Sequence, residues 1–165
     1  METTRFTTVR SGHNAEQSSI GRAAADKIVK LFLDSSALAK RYVAETGSED
    51  VDSLCRRATV LGVSIICVPE VISALCRLRR EKKLNLHEYE SAKQAFAADL
   101  RDAIVCGINE PVIQRSLTVL EKCPVRAMDA LHIGCALEWK NALFVSSDKQ
   151  QLAAAKAMSL KTRKI

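Results

Sequence analysis

Four carboxylates occupy positions where the sequence predicts a strand to end or a helix to begin. Asp34 and Asp148 each follow a short apolar run, whereas Glu70 and Asp129 fall in the first turns of predicted helices. In a parallel sheet, the carboxyl ends of the strands and the amino ends of the following helices share one edge, so we expect the four side chains to meet there. Taken singly, each acid is also explained as a helix cap or as a first-turn complement to the helix dipole.

Four carboxylates that meet at one edge would have a distinctive chemistry. Like charges repel and raise one another's pKa, so such a cluster is stable only with a bound cation. Oxygen ligands without suitably spaced histidine or cysteine select a hard ion such as Mg²⁺ or Mn²⁺. We therefore expect that neutralising Asp34, Glu70 or Asp129 stabilises the metal-free protein, and that a bound metal ion relieves the repulsion.

Short apolar segments that alternate with helical patterns must position these acids. The predicted strands lie at 30–33, within 59–67, and at 103–108, 142–145 and 160–165, the last as an edge strand. Helical patterns fill the segments between them, the first over 36–43. The unbroken apolar run at 31–33 predicts a strand that is buried on both faces of the sheet. This alternation predicts a three-layer α/β/α fold with a mostly parallel central sheet.

The N-terminal segment differs in composition from the rest of the chain. Residues 1–26 are rich in polar side chains and lack a sustained apolar period. This pattern predicts a flexible N-terminal extension, followed by one domain over residues 27–165.

The overall charge suits a polyanionic substrate. The chain of 165 residues carries a formal net charge of +6, and a basic surface around an acidic cluster favours a polyanion and a bound cation. Ordinary solubility charge explains the same value equally well. Aromatic residues make up only 4%, which argues against a surface on which bases stack.

Cysteine use predicts a reducing compartment. The six cysteines are scattered, with no C-x-x-C pair, so the spacing typical of zinc sites is absent. We expect free thiols and a cytoplasmic location. No apolar stretch approaches the ~20 residues that a membrane helix needs, so no membrane association is predicted.

Four motifs in order resemble the PIN-domain family. They are Leu-Phe-Leu-Asp-Ser-Ser-Ala-Leu at 31–38, Pro-Glu-Val-Ile-Ser-Ala-Leu at 69–75, Arg-Ala-Met-Asp-Ala-Leu-His at 126–132 and Phe-Val-Ser-Ser-Asp at 144–148. Within that family they are most similar to VapC-type toxins. The resemblance implies a metal-dependent endoribonuclease that uses Mg²⁺ or Mn²⁺, the toxin of a type II toxin–antitoxin pair. It also implies an RNA substrate, a cognate VapB-like antitoxin and a homodimer.

The resemblance assigns roles by motif position. Asp34, Glu70, Asp129 and Asp148 would be the catalytic and metal-binding acids, with Asp148 bound directly or through water. Three further residues would orient the carboxylates or contact the substrate, and these are Ser36, Ser146 and Arg126.

Two other functions compete with the nuclease. Phosphotransfer enzymes of the haloacid-dehalogenase type also place an Asp after the first strand, but they need a second Asp two residues on, where this chain has Ser36. In a non-catalytic interaction module, the acids would serve only as helix caps.

Several other side chains have a structural and a functional interpretation. His132 is predicted to be a core or capping residue rather than a catalytic one. A run of basic residues either guides RNA or, as we favour, forms a solvated helix face: Arg77, Arg79, Arg80, Lys82 and Lys83. Five residues near the first two helices are candidates for an antitoxin groove, with a core role as the alternative: Leu38, Tyr42, Val43, Val51 and Leu54.

Overall fold

The computed structural model describes residues 28–165, and the extension predicted at 1–26 lies outside the described residues. Five strands form one sheet in the order β3-β2-β1-β4-β5, and every neighbouring pair is parallel. The strands are β1 (Ile28–Leu33), β2 (Ala58–Ser64), β3 (Ile104–Cys106), β4 (Leu143–Ser146) and β5 (Lys161–Lys164). The predicted α/β fold is confirmed, and the sheet is parallel throughout rather than mostly parallel.

Seven helices connect the strands of the described chain. They are α1 (Ser35–Ala39), α2 (Ser48–Arg57), α3 (Cys67–Arg80), α4 (Leu86–Asp102), α5 (Glu110–Lys122), α6 (Ala127–Trp139) and α7 (Lys149–Ala157). The helix predicted over 36–43 was wrong in length, because α1 ends at Ala39 and the chain turns there. The turn is held by tertiary contacts of Tyr42, which are invisible to a local pattern.

The central strand β1 supplies both halves of the core. Its side chains alternate between the faces of the sheet. Leu31 and Leu33 join a cluster formed with α1 to α4, whereas Phe32 joins a second cluster formed with α5 to α7. All three side chains are fully buried, so the apolar run predicted to be buried on both faces is confirmed. The two clusters on opposite faces make the three layers.

All six cysteines are free thiols in the structure, as predicted from their scatter. Cys67 and Cys135 are fully buried and pack as small apolar residues. Burial raises the pKa of the Cys67 thiol to about 12, and the nearby negative charge of Glu70 adds to this effect. A thiol of this kind is unreactive at neutral pH.

A network of ionic and hydrogen bonds fastens α4 to the turn after α1. Arg41 Nε donates to Asp99 Oδ2 at 2.8 Å, and the Tyr42 hydroxyl donates to the same oxygen at 2.8 Å. Arg41 also contacts Asp52 of α2 at 3.1 Å. The Arg41 side chain is only 14% exposed, so its charge depends on these partners.

We expect Asp99→Ala to lower the free energy of unfolding by about 3 kcal/mol, because it leaves the guanidinium of Arg41 buried with a weaker partner. Urea unfolding followed by circular dichroism measures the change. Glu90→Ala is the matched control on the same helix, since Glu90 makes only an exposed ion pair with Lys93 at 3.7 Å. Its effect should stay within ~0.5 kcal/mol. Equal effects of the two substitutions would contradict the importance of the network.

Candidate active site

Two of the predicted acids lie where adjacent strands end. Asp34 follows β1 and Asp148 lies two residues beyond β4, and these strands are paired in register at Leu33 and Val145. Asp34 Oδ1 accepts a hydrogen bond of 2.8 Å from Ala37 N and caps α1. Asp148 Oδ1 accepts one of 2.7 Å from Gln150 N and caps α7. Both acids are therefore helix caps, and both also lie at the carboxyl edge of the sheet.

The other two acids lie at the amino ends of helices. Glu70 is in the first turn of α3, and Asp129 is in the first turn of α6. All four carboxylates line a single cavity of ≈ 330 Å³ at the carboxyl edge of the sheet. The structure thus brings together residues that are separated by as many as 114 positions along the chain.

Hydroxyl groups hold Asp34 in one orientation. Ser36 Oγ donates to the carboxylate at 2.8 Å and Ser146 Oγ donates to Oδ2 at 2.8 Å. The same hydroxyls accept from backbone amides, Ser36 from Ser147 N at 3.0 Å and Ser146 from Asp148 N at 2.9 Å. These bonds tie the ends of β1 and β4 together around one carboxylate.

Burial makes the charge on Asp34 unfavourable. The residue is only 4% exposed, and its burial raises the pKa of the carboxyl above the ordinary value. Hydrogen bonds from Ala37, Ser146 and Ser36 and the proximity of His132 oppose this effect without overcoming it. Burial thus opposes a negative charge at Asp34, and a cation beside the carboxylate would favour that charge.

Glu70 has partners that the sequence analysis did not assign to the site. His132 Nε2 lies 2.8 Å from Glu70 Oε2, and the Ser35 hydroxyl donates a short hydrogen bond to the same oxygen. Since an ionised carboxylate only accepts, Nε2 carries the proton of this bond. The bond from His132 is the main reason why the pKa of Glu70 is lowered.

His132 is a buried residue that also lines the acidic cavity. It is buried, at 2% exposed, as expected of a core residue, yet it lines the acidic cavity. Within the part of the chain that the structure describes, its Nδ1 has no hydrogen-bond partner. Its position three residues after Asp129, on the same face of α6, was the signal in the sequence.

Asp129 and Asp148 influence each other across the cavity. Burial raises the pKa of Asp129, and the negative charge of Asp148 raises it further. Arg126 is exposed, and its backbone N–H donates to Asp129 Oδ2 at 3.3 Å. This hydrogen bond from the main chain of Arg126 helps to position the Asp129 carboxylate.

The donor set fits a hard divalent cation by its chemistry. It consists of carboxylates, two of which have raised pKa values because burial penalises their charge. In the side-chain positions seen among residues 28–165, no three histidine, cysteine or acidic groups are close enough to hold one ion.

Comparison with family models now identifies the fold. The PIN domain model matches residues 31–157, which is most of the chain. The protein belongs to the PIN-domain family. The resemblance found in the four sequence motifs is confirmed. A search of curated proteins finds no match.

Several solved structures share this architecture at low sequence identity. FitAcB from Neisseria gonorrhoeae is 14% identical with a TM-score of 0.59, covering 80% of this chain and 95% of that chain. VapC20 of Mycobacterium tuberculosis, a sarcin–ricin loop cleaving toxin, is 17% identical with a TM-score of 0.59, covering 75% and 94%. VapBC2 from Rickettsia felis, bound to promoter DNA, is 10% identical with a TM-score of 0.59, covering 83% and 99%. The likeness establishes the fold.

A groove adjoins the acidic cavity on the side of α1 and α3. It has a volume of ≈ 370 Å³ and shares Glu70 and Arg77 with the cavity. Val43 and Leu78 line it and also line a neighbouring depression of ≈ 500 Å³. Of the five groove residues predicted from the sequence, only Val43 lines it. The other four are core residues: Leu38, Tyr42, Val51 and Leu54.

Between residues 28 and 165, no helix is both long and apolar enough to cross a bilayer.

Proposed function

We propose that this PIN domain is a metal-dependent endoribonuclease and the toxin of a type II toxin–antitoxin pair. The observation that carries the proposal is the convergence of Asp34, Glu70, Asp129 and Asp148 on one cavity at the carboxyl edge of the sheet. A toxin with the same fold, which cleaves the sarcin–ricin loop, supports it. The free thiols support a reducing cytoplasm as its location.

In this proposal, Asp34, Glu70 and Asp129 hold Mg²⁺ or Mn²⁺, and Asp148 binds directly or through water. When bound, such an ion activates water for attack on phosphorus and neutralises charge on the phosphodiester. The chain's own hydrogen bonds prepare the ligands. Ser36 and Ser146 fix Asp34.

Glu70 is prepared in the same manner on the other side of the cavity. Ser35 and His132 occupy its Oε2 and leave Oε1 without a partner among the described hydrogen bonds. Oε1 would then be the Glu70 oxygen available to a bound ion. Anchoring reduces the rotamer freedom that Glu70 would otherwise lose on binding an ion.

The test is incubation of the purified protein with a panel of cellular RNAs, in Mg²⁺, in Mn²⁺ or with chelator, followed by mapping of the cut ends. We expect discrete cuts that depend on the metal and disappear with chelator. Intact RNA under every condition would refute the nuclease and favour the non-catalytic module. The haloacid-dehalogenase alternative is disfavoured, since its second Asp is replaced by Ser36, whose hydroxyl donates a hydrogen bond to Asp34.

We propose that an antitoxin segment covers this site through the groove that contains Val43 and Leu78. The groove opens into the acidic cavity at Glu70 and Arg77, so an apolar segment seated there would obstruct access to the acids. Co-purification of the toxin with its genomic neighbour, and loss of cleavage in the complex, would support this partner. A complex that retains full cleavage would contradict it.

We propose a homodimer through the exposed face of α5. Ile113, Leu117 and Leu120 are exposed at spacings of four and three residues, so they form one apolar stripe. Antiparallel packing of two copies would pair these stripes. It would also bring Glu110, in the first turn of one α5, beside Lys122, in the last turn of the other.

We expect Leu117→Glu to weaken this dimer at least ~100-fold, because it places two carboxylates near the two-fold axis in apolar surroundings. Sedimentation equilibrium measures the association constant. The matched control is Leu86→Glu, which changes an even more exposed leucine at the start of α4. A monomeric wild type, or a Leu117→Glu protein that associates like the wild type, would refute the interface.

A further inference from the structure

One face of α3 extends the acidic cavity with positive charge. Arg77 and Arg80 line the cavity together with Glu70 and with Ser73 and Ala74, which lie between them. These positions follow Glu70 by three, four, seven and ten residues, which is the spacing of one helical face. At 1.5 Å of rise per residue, the two arginines lie ~10 Å and ~15 Å from Glu70 along the helix axis.

The other basic residues of this run are turned elsewhere. The guanidinium of Arg79 lies 5.6 Å from the ring centroid of Tyr89 on α4. Lys83 makes an exposed ion pair with Glu81 at 2.7 Å, and neither lysine of the run lines the acidic cavity. All five basic residues are exposed, as a solvated helix face predicts, and Arg77 and Arg80 in addition line the acidic cavity.

Arg77 and Arg80 are available for a ligand. Both are exposed, and in the region from 28 to 165 no carboxylate forms an ion pair with either guanidinium. The charges of both arginines lower the pKa of the exposed Glu81, after the larger effect of Lys83. Because Glu81 is exposed, water and salt screen its charge, and it leaves the guanidinium groups of Arg77 and Arg80 free to bind a ligand in the cavity.

We propose that Arg77 and Arg80 form a phosphate-binding arm that holds the RNA backbone beside the scissile linkage. This inference rests on the proposed nuclease function. Four carboxylates repel a polyanion, so RNA entry requires positive charge in the same cavity. Arginine presents a planar fork of donors that matches phosphate oxygens. Their distance from Glu70 assigns them to flanking phosphates, and they are positioning residues rather than catalytic ones.

The first test measures binding without cleavage. A fluorescent single-stranded RNA is titrated with the protein in chelator at several salt concentrations, and fluorescence anisotropy gives the affinity. We expect Arg77→Ala and Arg80→Ala each to weaken binding and to reduce the slope of log affinity against log salt by ~0.7, the value for one phosphate contact on a single strand. Arg77→Lys and Arg80→Lys should retain the slope and lose part of the affinity.

Arg79→Ala is the matched control, because it removes the same charge from the same helix at a position turned away from the cavity. Its salt slope should remain that of the wild type. If all three alanine variants reduce the slope equally, only general charge is at work and the arm is refuted. Wild-type protein that does not bind RNA in this assay also overturns the proposal.

The second test separates the arm from the nuclease itself. With Mg²⁺ or Mn²⁺, the double variant Arg77→Ala/Arg80→Ala should raise KM for RNA at least ~10-fold and leave kcat near that of the wild type. Normal cleavage with an unchanged KM refutes the arm and leaves the nuclease standing. Absence of cleavage by the wild type refutes the nuclease instead, whereas the salt slopes still decide whether the arginines bind phosphate.

Discussion

Asp34→Asn should reduce metal-dependent RNA cleavage at least ~100-fold, the largest effect that we expect from any single substitution. The asparagine keeps the shape and still caps α1, because Asn and Asp are about equally good N-caps. It removes the negative charge at the centre of the cavity, where Ser36 and Ser146 hold the carboxylate in place. Loss of residues that only support a metal ligand already reduces affinity or activity 10- to 100-fold, so ~100-fold is a lower bound for a ligand itself.

The measurement is the rate of appearance of a mapped cleavage product under single-turnover conditions. Glu70→Gln and Asp129→Asn should reduce the rate similarly. The chain offers a matched control, since Asp50 is a first-turn acid of α2 outside the cavity. Asp50→Asn should cleave like the wild type. Wild-type rates in Asp34→Asn would reduce Asp34 to a helix cap and remove the basis of the proposed function.

Asp34→Asn should also change the thermal stability in opposite directions without and with metal. The pKa of Asp34 is raised in the folded state by burial, so the folded protein binds more protons than the unfolded chain. Stability therefore falls as the pH rises from the unfolded pKa, near ~3.9, through the raised folded pKa. The penalty is present above the folded pKa, and Asp34→Asn removes it. The metal-free variant should melt at or above the temperature of the wild type, and the difference should vanish in strong acid.

With metal bound, the wild type should melt at a higher temperature than Asp34→Asn. A cation that binds only the folded state adds about 2.7 kcal/mol of stability at a concentration of 100 times its Kd. For a chain of this length, such a gain raises the melting temperature by roughly 5–10 °C. We expect this rise in the wild type and little of it in Asp34→Asn. Thermal scans of both proteins with Mg²⁺, with Mn²⁺ and with chelator measure it, and an equal rise in both would end the assignment of Asp34 as a ligand.

Charge repulsion alone predicts that all the acids behave alike, and the structure changes this expectation for Glu70. The bond from His132 lowers the pKa of Glu70, so its charge stabilises the folded state above the unfolded pKa. That contribution is lost as the pH falls through the lowered folded pKa. Glu70→Gln should therefore not stabilise the metal-free protein at neutral pH, unlike Asp34→Asn. Asp129→Asn should affect the stability of the metal-free protein as Asp34→Asn does, because burial and the charge of Asp148 raise the pKa of Asp129.

The sequence by itself determined the order of the strands and helices and the four junctions that carry acids. These features depend on local signals, namely the period of apolar residues and the residue types that begin helices. The run 31–33 predicted a strand buried on both faces, and its side chains do alternate between two core clusters. The family also followed from the sequence, because its motifs lie at these same junctions.

Only the tertiary structure decided which side chains meet. Ser35 and His132 are 97 residues apart and both contact Glu70, a pairing that depends on the packing of α6 against the sheet edge. Likewise, the sequence predicted Tyr42 as a groove residue. In the structure its ring lies in the core and its hydroxyl donates to Asp99 of α4. Local periodicity reports which face of an element is apolar. It carries no information on the element that lies against that face, and long-range contacts of this kind set the pKa values and the geometry of the site.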